Sequence, residues 1–155
     1  MNRFLYYFNK FLPFLITLIL WRLAVPFWNP SGILALIPIF YYTFVRPIHW
    51  FPLIALMFCF LIDYRCNLPL FWTTFFCVFY AINGFQNYTD IQKLEKNASG
   101  VFAVFIGIGF LILTFYGKNW ANFINNLWLF AWLCVLYIPI TSIDLIFTKK
   151  RLRYD

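Results

Sequence analysis

Acidic side chains are scarce. The 155 residues include five Asp and Glu, and only 11% are charged at all. Soluble domains carry about 25% charged and roughly 45 to 50% apolar residues. Here 64% are hydrophobic, so too few polar side chains exist to cover a globule of this size in water. Histidine occurs once, at His49, and the four cysteines, Cys59, Cys66, Cys77 and Cys134, are separated by 7, 11 and 57 positions. No pair forms a zinc knuckle or a redox Cys-x-x-Cys, and His49 brings no second ligand. The thiols read instead as small apolar fillers. Glycine occurs only six times, with no phosphate-cradling loop and no GxSxG elbow, and no two carboxylates lie close together within the apolar segments. With no catalytic constellation, no cofactor and no metal expected, the chain reads as a non-enzyme.

What is abundant is hydrocarbon. Phe (22) and Tyr (10) help bring aromatics to 25%, too many to serve only as interfacial belts, so most are expected to pack between helices or face acyl chains. A membrane β-barrel would alternate apolar and polar residues, yet the stretches 51–62 and 101–115 are apolar on every face. The expected architecture is therefore an all-α integral membrane protein, one transmembrane helical domain over residues 1–155.

Six apolar segments are readable: Phe11 to Trp28, Ile33 to Val45, Ile48 to Ile62, Leu68 to Asn83, Val101 to Tyr116, and Phe123 to Phe147. The second and third are short, and a single pass from Ile33 to Ile62 competes with them. Charge favours six crossings with both termini in the cytoplasm. That arrangement puts Arg3, Lys10, Arg46, Lys93, Lys96, Lys149, Lys150, Arg151 and Arg153 on the inner side. Only Arg65 and Lys118 fall outside, with Arg22 inside the first pass. Pro47 suits the tight reversal at Arg46-Pro47, because it fixes its own φ and biases Arg46 away from the helical region. Asn29-Pro30-Ser31-Gly32 marks the first outer turn.

The first segment lacks a small-residue cleavage site and reads as an uncleaved anchor, with the aromatic and basic Met1 to Lys10 in the inner headgroup layer. The basic tail reads as a retention charge facing anionic lipid; its four cations form no nucleic-acid patch. Gln86 to Ser99, with Asp90, Lys93, Glu95 and Lys96, is the one polar linker, a solvated turn or a docking loop.

Ionisable residues at membrane depth carry more information, since each costs about 2.5 to 3.5 kcal/mol at a helix centre. Arg22, roughly 9 Å inside the outer end of the first pass at 1.5 Å per residue, and Asp63, closing the third, lie on the same side. They are expected either to pair, fastening the two passes, or to act separately, Arg22 snorkelling to headgroups and Asp63 pairing with Arg65. Asp144 has Lys149 and Lys150 as its simplest partners. Ser99, Ala103 and Gly107 recur every fourth residue, a face of little bulk that either closes this bundle or receives a partner's helix. Pro38 and Pro139 should kink their passes and free carbonyls for donors such as Thr43 or Tyr137.

From Ala35 to Ile82 the order of residues resembles the MreD family of bacterial rod-shape-determining membrane proteins, most closely its alphaproteobacterial form. The shared pattern is an aromatic pair and Arg-Pro, an apolar pass, an Asp, and a turn ending in Pro-Leu. Here it reads Phe40-Tyr41-Tyr42, Arg46-Pro47, Leu61-Ile62-Asp63 and Asn67-Leu68-Pro69-Leu70. The family usually has glycines where this chain has Phe60, Asn67 and Phe71. The resemblance covers about a third of the chain and carries over Arg46, Asp63, Pro69 and Leu70 as structural motif positions. It implies an inner-membrane, non-enzymatic subunit of the cell-elongation machinery for peptidoglycan synthesis. Such a subunit binds the single-pass protein MreC, and through it MreB filaments, the glycosyltransferase RodA and its transpeptidase. The family is also similar to the substrate-binding subunits of energy-coupling-factor transporters, whose six helices surround a vitamin pocket. This similarity supplies the alternative function, a small-molecule binding subunit. Its polar outer loops are poorly matched by the short turns at Asn29 to Gly32 and Asp63 to Pro69.

Overall fold

The structure, a computed structural model, describes residues 2–23, 32–86, 97–117 and 120–151. Every regular element among them is helical, with no strand. The chain forms two compact units, Met1–Lys96 and Asn97–Asp155.

In the first unit α1 runs over Asn2–Arg22. Pro13 lies inside it, and Thr17, fully buried, donates its hydroxyl to the Pro13 carbonyl at 2.7 Å. The helix stops earlier than the apolar run does. Arg22 stands exposed in the last turn of α1; residues 24–31, and with them the rest of the expected first pass, lie outside the described part.

Ile33–Val45 forms one buried helical segment whose pitch widens along its length. It begins as a 3₁₀ turn (Ile33–Ala35), becomes α2 (Leu36–Phe40) and ends as a π turn (Tyr41–Val45). Pro38 sits in α2 between the tight and wide turns. Every side chain from Ile33 to Val45 is enclosed, which fits a run with no charge and only one non-aromatic polar residue, Thr43. Phe44 anchors the segment, meeting Phe40 at 5.3 Å, Phe76 at 6.1 Å and Phe79 at 5.0 Å between ring centroids.

The chain reverses at Arg46–Trp50, as Arg46-Pro47 predicted, so the competing single helix over 33–62 is not formed. α3 (Phe51–Cys66) starts with Pro52 in its first turn, where a missing N–H costs nothing, and α4 (Phe71–Gln86) follows after four residues. α3 buries Phe51, Ala55, Phe58, Cys59, Ile62 and Asp63, a single stripe at helical spacing. Its opposite face is equally apolar, with Leu53 80% exposed beside Leu56, Met57 and Phe60.

The second unit pairs α5 (Ala98–Gly117) with α6 (Trp120–Arg151). Phe102 stacks on Tyr137 with centroids 4.4 Å apart, and Phe105, Ile106, Leu129 and Leu133 fill the seam. Around Pro139, the hydroxyls that turn back onto carbonyls belong to Thr141, which donates to Tyr137 O, and Ser142, which donates to Ile138 O. Thr43, expected in that role near Pro38, keeps a buried hydroxyl without a partner. Within α5 and α6 the stretches Ala98–Tyr116 and Phe123–Ile143 are long and apolar enough to cross a membrane.

Candidate functional site: the buried carboxylate of the α3–α4 turn

Of the motif positions singled out in the sequence, Asp63, Pro69 and Leu70 come together at the end of α3 and the four-residue turn after it. α3 ends on Asn67, which takes the left-handed conformation (φ 52°). Leu68 N–H donates to Asp63 O at 2.9 Å and Asn67 N–H to Tyr64 O at 3.4 Å, the paired bonds of a Schellman closure. Asparagine is, after glycine, the residue that best tolerates this backbone, which is how the chain manages without a glycine at position 67. Pro69 follows, and Leu70 N–H reaches Leu68 O at 2.8 Å.

Leu70 occupies the position preceding α4, where Ser, Thr, Asp or Asn would ordinarily accept the first free N–H groups. Its side chain cannot. Asp63, one turn before the end of α3, does so from across the hairpin. Oδ1 accepts Trp72 N–H at 2.9 Å, and Oδ2 accepts Thr73 N–H at 2.9 Å and Thr73 Oγ1–H at 2.8 Å. One residue thus closes α3 through its carbonyl and caps α4 through its carboxylate, whose charge faces the positive end of the α4 dipole. Asp63 is 1% exposed, and Trp72 is as deeply buried.

This geometry corrects the expected ion pairs. Among the described residues neither Arg22 nor Arg65 comes within ion-pair distance of Asp63. Buried amides and a hydroxyl already surround the carboxylate, while Arg22 is exposed and the Arg65 guanidinium lies 4.3 Å over the ring of Trp21. Of the other motif residues, Arg46 is half-buried and donates its N–H to Tyr41 O at 2.8 Å, where it ends the π turn. Pro47 and His49 are exposed in the reversal.

The small-residue face of α5 is only partly covered. Ser99 is exposed and Ala103 half-buried, whereas a Cβ on Gly107 would lie 3.5 Å from the Phe130 ring of α6. That contact closes the protein's own helix pair. Beside it a crevice of about 230 Å³ is lined by Gly107, Phe110, Thr114, Phe123, Asn126 and Phe130, with Asn126 Nδ2–H donating to Thr114 Oγ1 at 3.1 Å. The cysteines differ from uniform fillers: Cys59 is enclosed, Cys66 and Cys134 are half-buried, and Cys77 is exposed. No cluster of three metal-ligating side chains occurs among the described residues. The expectations for the Gln86 to Ser99 linker rest on residues 87–96, outside the described part, and those for Asp144, Lys149 and Lys150 rest on side chains outside it.

No family model, no curated protein and no solved structure matches the chain. Sequence reading missed the cap that Asp63 provides. The signal was present: Leu68-Pro69-Leu70 offers α4 no local cap, and Asp63 is the only carboxylate before Asp90.

Proposed function

We propose that this chain is a six-pass inner-membrane protein of MreD type, with both termini cytoplasmic. In this reading it serves as a non-enzymatic scaffold of the bacterial cell-elongation complex and binds an MreC-like single-pass protein. MreB, RodA and the transpeptidase are engaged through that partner. The observation that carries the reading is the turn around Asp63. The residues whose order suggests the family, Arg46-Pro47, Asp63 and Pro69-Leu70, are the ones that reverse the chain, cap two helices and form the turn between them. A helical hairpin with a sealed turn and a largely apolar outer face supplies a rigid surface for a partner helix. Lipid contact is supported by the outward Leu, Ile, Val and Phe residues of α3 to α6, which would be an aggregation hazard in water.

The runner-up, a small-molecule binding subunit, has the α5–α6 crevice in its favour. At about 230 Å³ it falls below the roughly 300 to 1,000 Å³ of ligand pockets, and a single amide–hydroxyl pair is its polar feature. Scaffolding is the better fit.

Cysteines placed on the outward face of α3, at Leu53, Met57 and Phe60, are to be crosslinked in the native membrane. Capture of a single-pass partner, together with loss of rod shape on depletion of the chain, supports the scaffold. Capture of an ATPase-coupled translocation subunit overturns it in favour of transport.

A further inference from the structure

We draw no further inference here: the strongest candidate, the crevice beside Gly107 between the second half of α5 and the first half of α6, is an open apolar groove, and nothing in the structure shows what covers it.

Discussion

Asp63 closes one helix and caps the next, and the nature of its partners sets what a substitution does. Asp63→Asn keeps the volume but turns an NH₂ group toward the N–H donors of the α4 terminus. The loss is about 2 to 4 kcal/mol, combining charge-assisted bonds with buried donors left unpaired. Arg22→Gln, by contrast, should change stability by less than about 0.5 kcal/mol, as exposed substitutions do. Thermal unfolding in detergent measures both, and equal losses would restore the ion pair that the geometry excludes. Leu70 argues in the opposite direction. Its φ of 52° belongs to the left-handed region and carries a penalty of roughly 1 to 2 kcal/mol for a branched side chain. Glycine there costs about 0.5 to 1 kcal/mol in chain entropy. Leu70→Gly should therefore stabilise the protein by roughly 0.5 to 1 kcal/mol, seen as a higher melting temperature, and a fall would show that the Leu70 side chain packs more than its exposure indicates.

At the scale of elements, hydropathy defined the helices better than it defined their ends. Ile33–Val45 coincides with the expected segment because Gly32, with φ 118°, and Arg46-Pro47 bracket it by backbone chemistry legible in the sequence. α4 starts three residues into its apolar run because Pro69 and the cap from Asp63, not hydropathy, set where its hydrogen bonding begins. The cap from Asp63 depends on contacts nine and ten residues apart, which local periodicity does not encode. Periodicity also fails to say which side of an evenly apolar helix faces inward: α5 buries Phe102, Phe105 and Ile106 and exposes Val104, Ile108 and Leu111. The outward residues allow a direct test of their solvent. Ile108→Arg, near the middle of Ala98–Tyr116, should hinder membrane insertion by about 2.5 to 3.5 kcal/mol in a glycosylation-based insertion assay. In water the same exposed substitution would be nearly neutral, so unimpaired insertion and stability would count against lipid contact.

For the whole molecule the decisive quantity is the parity of crossings, and the segment Ile33–Val45 is where parity is settled. Its 3, 5 and 5 residues reach only about 20 Å at 1.5 to 2 Å per residue, against roughly 30 Å of hydrocarbon. A lipid-facing helix of that length would leave polar backbone inside the bilayer. This one is enclosed by protein along its whole length, so its ends can be satisfied by the flanking turns without reaching the interface alone. In the six-pass reading proposed above, the helical break at Arg46–Trp50 carries the chain back, and the turns at His49 and Asn67 fall on opposite faces. In a cysteine-free background, Cys at His49 should react with an impermeant maleimide only after the inner face is opened. Cys at Asn67 should react from outside in intact cells. Labelling of both from one side would make Ile33–Val45 re-entrant, leave an odd number of crossings, and remove the charge asymmetry that places Lys149 to Arg153 on the same side as Arg3 and Lys10.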